Sequence, residues 1–217
     1  MEGFRKFFLY RAIACLLVLM TLSGCFGIPA QMMYFIKGYK AKAAFAGLKN
    51  KTVAVVCISD ASSYGPNSLT DSLARSLGAE LKLNVKKLNL IPNSEIEDWK
   101  DQNGWAEIQP EQLGRDLGAD MVVTLELTGY SIREGQTMYK GRSTITTTVY
   151  DVQNNGDIAF VHGPEFFEFP KSHARPAIGT TEAQFEAAYL HRVVIHISRL
   201  FYDYDKAEAV GEDAFLF

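Results

Sequence analysis

The sequence predicts an α/β fold, a single three-layer sandwich domain with a mixed β-sheet and a C-terminal helix. Three observations lead to this prediction. A continuous β-branched run begins just after residue 51, strands and leucine-striped helices then alternate, and a threonine-rich hairpin precedes a last long helix. With 217 residues, of which 47% are hydrophobic and 22% charged, the chain can bury one such core.

The first predicted strand is Thr52–Ile58, whose sequence TVAVVCI is typical of a central strand buried on both faces. A polar loop follows, and Ser68 and Asp71 then form a capping-box pattern at the start of a helix. Leucines at every fourth position give this helix one apolar stripe: Leu69, Leu73 and Leu77. The run VKKLNL, residues 85–90, predicts a short second strand.

Two further helices and a third strand are predicted between residues 94 and 130. Ser94 and Glu97 repeat the capping-box pattern, and Pro110 suits the first turn of a helix that Gly118 ends. The run MVVTLELTGY then predicts a strand with three side chains on one face: Val123, Leu125 and Leu127.

The last part of the domain changes pattern. Met138–Asp151 is rich in threonine, with Ile145 and Val149 in alternation, and Asn155-Gly156 predicts a hairpin turn into the run IAFVHG. A loop that contains proline, phenylalanine and histidine is expected next. A closing helix is predicted over residues 180–204. Its apolar stripe consists of Phe185, Tyr189, Val193 and Leu200.

The amino terminus carries the features of an exported protein. Met1–Arg11 has three basic residues and one acid, and the apolar run after it is about half as long as a membrane span. The run ends in Leu-Ser-Gly-Cys, which resembles the lipobox of bacterial lipoproteins. The resemblance implies a lipoprotein signal peptide, cleavage between Gly24 and Cys25, and membrane attachment through acylated Cys25. An ordinary exported protein cut nearby and an uncleaved anchor are the alternatives.

The predicted organisation has four parts: a signal peptide over residues 1–24, a lipidated juxtamembrane tether over 25–50, the α/β domain over 51–202 and an acidic tail over 203–217. Removing residues 1–24 lowers Lys+Arg from 22 to 19 and Asp+Glu from 25 to 24, so the mature net charge is −5. An acidic body argues against nucleic acid as a partner.

Both ends of the mature chain leave alternatives open. The segment before the first strand has five lysines and no acid: Lys37, Lys40, Lys42, Lys49 and Lys51. It either lies on anionic headgroups or packs on the domain as a lead-in. The apolar tip FLF of the acidic tail is either a docking peptide or a frayed end.

No residue pattern predicts a catalytic or cofactor-binding site. The loop Ser59–Pro66 lacks the glycine and lysine signatures of nucleotide sites, and Ser62 and Ser63 lack the glycines of a nucleophile elbow. Cys57 lies in an apolar run and is expected to behave as a small buried hydrophobe. We therefore expect neither an enzyme nor a bound small molecule.

Metal binding is not predicted either, because no histidine spacing matches a zinc pattern. The side chains considered are His162, Glu165, Glu168, His173, His191 and His196. A solvated helix face is expected for Glu95, Glu97, Asp98 and Asp101. Several aromatic residues are either a partner surface or buried: Trp99, Trp105, Phe166, Phe167 and Phe169.

The order of segments resembles one group of periplasmic domains. The runs EQLGRDLGADMVVTLEL and VYDVQNNGDIAF are similar to the α/β domain shared by the curli secretion lipoprotein CsgG, the peptidoglycan-synthase activator LpoB and the amino-terminal domain of TolB. The matching positions are Leu117–Asp120, Asp151 and Gly156, and the resemblance covers Leu48–Val161. Members of that group often close the first strand with Pro-Phe, whereas this chain has Cys57-Ile58.

The resemblance implies a lipid-anchored envelope protein that acts without catalysis, as an accessory or assembly factor, through contacts with other envelope proteins or with itself. Phe26 after Cys25, in place of aspartate, favours the outer membrane, with the domain in the periplasm. The alternative is a subunit of an oligomeric CsgG-like secretion channel. That channel inserts two spanning hairpins per subunit, whereas this chain has one threonine-rich hairpin.

Overall fold

A computed structural model describes residues 40–60, 69–104, 108–171 and 173–206. The chain divides into two compact units. The larger unit contains Lys42–Tyr204, and the described part of the smaller unit is residues 40–41 and 205–206. Several predictions fall outside the described residues: the signal peptide, Gly24, Cys25, Ser62, Ser63, Ser68, Trp105 and most of the acidic tail.

The described part contains four α-helices and eight strands. The helices are α1 (Leu69–Asn84), α2 (Asn93–Asn103), α3 (Pro110–Asp116) and α4 (Glu182–Ser198). The four longer strands are β2 (Thr52–Ser59), β4 (Met121–Glu134), β5 (Met138–Asp151) and β6 (Asp157–Phe169). The two-residue strands are β1 (Lys40–Ala41), β3 (Asn89–Leu90), β7 (Arg175–Pro176) and β8 (Tyr204–Asp205).

The main sheet is mixed, as the sequence predicts. Its order is β3-β2-β4-β5-β6, and β7 pairs with the first two residues of β5. Strand β2 runs parallel to β3 and β4, whereas β4, β5 and β6 form an antiparallel meander. The parallel half comes from the alternating strands and helices, and the antiparallel half comes from the threonine-rich hairpin. The strands β1 and β8 form a separate two-stranded sheet.

Helices α1 and α4 cover one face of this sheet. The leucine stripe of α1 is confirmed, since Leu73 and Leu77 are buried against β2 and β4. The stripe of α4 is confirmed at Phe185, Tyr189 and Val193, each completely buried. Burying this set of apolar side chains is the main favourable contribution to folding, at about 25 cal/mol for each Å² removed from water.

Helices α2 and α3 cover part of the opposite face, which completes the three layers. Ile96 and Trp99 of α2 and Leu113 of α3 pack with the alternate side chains of β2 and β4. The indole N–H of Trp99 donates to Asp116 Oδ2 at 2.8 Å, which ties α2 to the last turn of α3. Trp99 is therefore a core residue, one of the two roles that the sequence left open.

Helix ends follow the local sequence in some places and depart from it in others. Gly118 has a φ of +67° just after α3, as expected of a residue that ends a helix. The predicted capping box at Ser94 and Glu97 is wrong, because α2 already begins at Asn93 and follows Pro92. A capping box does occur at Thr181, whose side chain accepts from the backbone of Gln184.

Two further boundaries differ from prediction. Helix α4 ends at Ser198, so Leu200 and the residues up to Tyr204 lie beyond it. The expected loop after Gly163 is instead the second half of β6, which continues to Phe169. Gly163, with a φ of +100°, and Pro164 form a bulge between the residues that pair with Ile145 and Thr147. A bulge on an edge strand is where a sheet tolerates proline.

The end of the lysine-rich segment packs on the domain. Leu48 is completely buried, and the ring of Phe45 stacks on Phe160 with ring centroids 5.2 Å apart. Phe45 also donates its backbone N–H to Leu200 O at 2.8 Å. For residues 42–51 the structure therefore shows the lead-in arrangement. No helix of the described part is long and apolar enough to cross a membrane.

Candidate protein-binding surface

Strand β6 forms one edge of the main sheet. It pairs with β5 along one side, and no described strand pairs with its other side. An edge strand presents backbone N–H and C=O groups that another strand can pair with. The sequence did not predict the full length of this edge strand, because the second half of β6 lacks the alternation of apolar and polar residues expected of a strand and contains a proline.

Three large apolar side chains project from β6 on one face of the sheet. They are Ile158, Val161 and Phe166, which we call the edge triad, and they are 60%, 51% and 62% exposed. Their partners on β5 are Tyr150, Thr148 and Thr144, which places the triad on the face opposite α1 and α4. The triad is spread along β6, and several exposed apolar side chains on one sheet face make that face a candidate for an interaction site.

The same face continues across β5 and β4 as a band of threonines, which we call the open face: Thr128, Thr144, Thr146 and Thr148. These threonines are half-buried, and Glu126 among them is exposed. Helix α3 packs only at the end of this face, near Tyr150 and Val152. Threonine favours a strand through its β-branch and remains compatible with water through its hydroxyl. The threonines of the open face are therefore compatible both with a regular strand and with contact to water.

The two halves of the β6 edge differ in charge. The half after the bulge carries Glu165 and Glu168, and Glu168 forms a salt bridge of 3.0 Å with Lys140. The half before the bulge begins at Asp157, and the rest of it, residues 158–162, contains no aspartate, glutamate, lysine or arginine. Charged side chains and bulges are the usual protection of a sheet edge. Residues 158–162 therefore lack protection by charge, although a register shift at Ala159 interrupts their pairing with β5.

A histidine–glutamate cluster holds β6 against α4. The Nε2 atoms of His162 and His196 lie 2.9 and 3.0 Å from Glu165 Oε2. Burial alone would raise the pKa of Glu165, but hydrogen bonds from His196 and His162 outweigh it and hold that pKa below its ordinary value. The ring of His196 also contacts Phe167, with centroids 5.0 Å apart. The cluster fixes the edge strand that carries the triad.

The sequence grouped these histidines differently. It placed His162 with His173, which is exposed, and His191 is exposed as well. Only folding brings His196 of α4 to His162 and Glu165. Among the described residues, no group of three histidine, cysteine or acidic side chains could hold a metal ion. The hydrogen bonds of Glu165 to His162 and His196 join β6 to α4, and on that ground we assign the cluster a structural role.

A second polar cluster lies at the carboxyl end of β2, between α1 and α2. Asp71 is 1% exposed and forms a salt bridge of 2.8 Å with Arg75. Asn93 donates to Asp71 and, at 2.6 Å, to Glu97. Burial lowers the pKa of the nearby Lys100, and the carboxylates of Asp71 and Glu97 oppose that shift. The sequence placed Glu97 on a solvated face, and instead it is half-buried in this cluster.

Four other residues behave as their sequence context predicts. Cys57 is buried, and burial raises the pKa of its thiol, which suppresses the reactive thiolate. Glu95, Asp98 and Asp101 are exposed on α2. The three phenylalanines of β6 that the sequence left as either exposed or buried differ in exposure: Phe166 is exposed, Phe167 is half-buried and Phe169 is buried.

No protein-family model matches the chain, and no curated protein matches it. Solved structures with a similar fold include the PelC dodecamer from Paraburkholderia phytofirmans, 11% identical over 75% of this chain and 95% of that one, with a TM-score of 0.43. Lipoprotein GNA1162 from Neisseria meningitidis is 15% identical over 68% of this chain and 95% of that one, with a TM-score of 0.39. The LpoB C-terminal domain from Salmonella enterica is 15% identical over 57% and 86%, with a TM-score of 0.36.

Proposed function

We propose that this protein is a lipid-anchored envelope protein that acts without catalysis, as an accessory or assembly factor. Its anchor is acylated Cys25, and Phe26 after that cysteine favours the outer membrane, with the domain in the periplasm. The support is the sequence Leu-Ser-Gly-Cys after a basic and apolar leader. Two acyl chains suffice for a stable anchor, so the domain itself need not cross the membrane.

The partner surface in this proposal is the edge triad with residues 158–162 of β6. One observation carries it. The exposed apolar side chains of β6 lie on one face of the sheet, and no described helix covers them there. A partner protein that adds an extended segment to β6 would gain backbone hydrogen bonds from the edge and apolar contacts from the triad. Binding of this kind needs no reactive side chain.

Site-specific photo-crosslinking in cells tests the partner surface. A photoreactive amino acid replaces Val161 or Phe166, and a matched control replaces Ile178, which is 91% exposed but lies outside β6. We expect reproducible crosslinks to one other envelope protein from positions 161 and 166 and none from position 178. Crosslinks between copies of the chain would favour the oligomeric channel instead. Equal, diffuse crosslinking from all three positions would contradict the proposed surface.

The anchor has a separate test. Cys25→Ala should abolish incorporation of radiolabelled palmitate and release the protein from the membrane fraction. Retention of both label and membrane association would contradict acylation at Cys25. Because this readout does not involve β6, the anchor and the partner surface can fail independently.

A further inference from the structure

A basic patch forms at one end of the larger unit, where the loop before β2 meets the loop between α1 and β3. The backbone N–H of Asn50 donates to Lys86 O at 3.3 Å, and that of Asn89 donates to Lys51 O at 2.9 Å. These two hydrogen bonds hold the loops side by side. The resulting basic patch contains five lysines and one leucine: Lys49, Lys51, Lys82, Leu83, Lys86 and Lys87.

The lysines of this basic patch are available for an external anion. Four of them are exposed and Lys51 is half-buried, and none forms a salt bridge with a described residue. The two neighbouring acids, Glu80 and Asp120, are outnumbered by the five lysines, and each accepts a hydrogen bond within the domain. Glu80 accepts from Asn84 at 2.7 Å, and Asp120 accepts from the backbone of Thr52 at 2.7 Å. A local excess of positive charge therefore exists on a chain whose overall charge is negative.

Leu83 distinguishes this basic patch from an ordinary solvated surface. Its side chain is 81% exposed in the last turn of α1, whereas Leu81 and Val85 on either side of it are buried. A lone exposed leucine needs no explanation, but Leu83 lies within four residues of the exposed Lys82, Lys86 and Lys87, a composition typical of a membrane-interface contact. Apolar insertion at the headgroup level and attraction to anionic lipid then reinforce each other.

We propose that the basic patch docks the domain on the anionic phospholipid headgroups of the membrane that carries its anchor. The lysines contact lipid phosphates and Leu83 enters the interface. Docking this end holds the amino-terminal ends of β2 and β3 next to the bilayer and turns the carboxyl end of β2 away from it. The orientation rests on the proposed membrane anchoring, whereas the lipid contact itself rests only on the described residues.

A fluorescent label tests the contact in the acylated, full-length mature protein reconstituted into vesicles. Leu83→Cys carries the environment-sensitive label, and Ile178→Cys carries it in the matched control. The vesicles contain phosphatidylcholine alone or with phosphatidylglycerol. We expect the label at position 83 to report an apolar environment only with phosphatidylglycerol, and to return to water at high salt. The label at position 178 should not respond.

Two triple variants that remove the same number of positive charges distinguish the effect of the basic patch on docking from the effect of the overall net charge. Lys82→Gln/Lys86→Gln/Lys87→Gln removes three patch charges, and Arg115→Gln/Arg133→Gln/Lys171→Gln removes three charges elsewhere. Each lysine near an anionic leaflet strengthens binding by about five-fold. The ratio of docked to undocked domain should therefore fall by about 100-fold in the patch variant and little in the control.

Three outcomes would overturn the lipid contact. The first is fluorescence at position 83 that does not change in either kind of vesicle. The second is an equal loss of docking in both triple variants. The third is a fluorescence response to added peptidoglycan and not to phosphatidylglycerol. The palmitate label on Cys25 is measured on the same samples. A failure of anchoring is thereby distinguished from a failure of the basic patch.

Discussion

Gly141 of β5 lies directly against the ring of Tyr189 in α4. A β-carbon at position 141 would be 2.0 Å from Tyr189 Cδ2 and 2.5 Å from its Cγ. Two residues along β5, the Ser143 hydroxyl meets the Tyr189 hydroxyl at 2.6 Å. The strand thus provides a glycine against which the Tyr189 ring packs and a serine hydroxyl that hydrogen-bonds to the Tyr189 hydroxyl. This contact fixes where the C-terminal helix crosses the sheet.

Gly141→Ala should destabilise the protein by about 1–3 kcal/mol, because the added methyl group cannot fit without moving a completely buried ring. Urea unfolding followed by circular dichroism measures the change. A double-mutant cycle with Tyr189→Leu is the control, since the smaller side chain relieves the clash and the two effects should not add. A variant as stable as the wild type would contradict this packing.

Glu97→Gln should remove part of the pH dependence of stability. A hydrogen bond with Asp71, then burial and the charge of Asp71 raise the pKa of Glu97 above its ordinary value of 4.5. A carboxyl group whose pKa is raised on folding adds stability while protonated and loses that contribution as pH rises through the raised value. The variant should therefore gain stability relative to the wild type between pH 4 and pH 7 in urea titrations.

The matched control for Glu97 is Glu95→Gln, which neutralises an exposed acid on the same helix. Its stability difference from the wild type should stay nearly constant with pH. A Glu97→Gln difference that is equally flat would show that Glu97 and Asp71 do not share a proton in the folded state.

Glu165→Gln should show the opposite sign. Burial favours protonation of Glu165, but its two histidine partners hold its pKa below the ordinary value. A depressed carboxyl pKa contributes stability above the unfolded value and loses it as pH falls through the folded value. The variant should be less stable than the wild type at pH 7, and the difference should shrink below pH 4. Because Glu165 is 39% exposed, we expect less than about 1 kcal/mol.

His196→Ala tests whether the cluster positions β6, since it removes one partner from Glu165 and leaves the strand sequence intact. Hydrogen exchange of residues 158–168 should accelerate, because β6 then loses a tie to α4. His191→Ala, on the exposed side of the same helix, is the control. Equal exchange in both variants would contradict the structural role of the cluster.

Native Cys57 should resist thiol reagents. Because burial both excludes the reagent and raises the thiol pKa, labelling at pH 8 should be at least about 100-fold slower in the folded protein than in denaturant. Ile178→Cys is the positive control, since position 178 is 91% exposed. Rapid native labelling of Cys57 would indicate that β2 opens readily near its carboxyl end.

Periodicity predicted the elements that bury a regular face. The unbroken apolar run of β2 indicated a central strand, and the leucine spacing of α1 and the alternation of Val123 and Leu125 indicated which sides face the core. Each of these signals depends on residues close together in the chain. The hairpin turn at Asn155-Gly156 is equally local, since both residues have positive φ.

Features that depend on distant contacts could not be predicted. The second half of β6 has proline and two acids, so its strand conformation depends on pairing with β5. His196 reaches Glu165 only because α4 crosses the sheet at Gly141. The local sequence predicts that Asp71 caps a helix. In the fold it is buried, and Asn93 of α2 donates a hydrogen bond to it. Leu83 lies outside the leucine stripe of α1, and nothing in the local sequence links it to Lys49.

The bulge at Gly163 and Pro164 limits how far β6 can be extended by another chain. Proline has no backbone N–H to offer, and the bulge shifts the register between the two halves of the strand. A second register shift lies at Ala159, so another chain can pair in step with residues 160–162 alone. The two register shifts therefore restrict strand addition at β6 to a short segment.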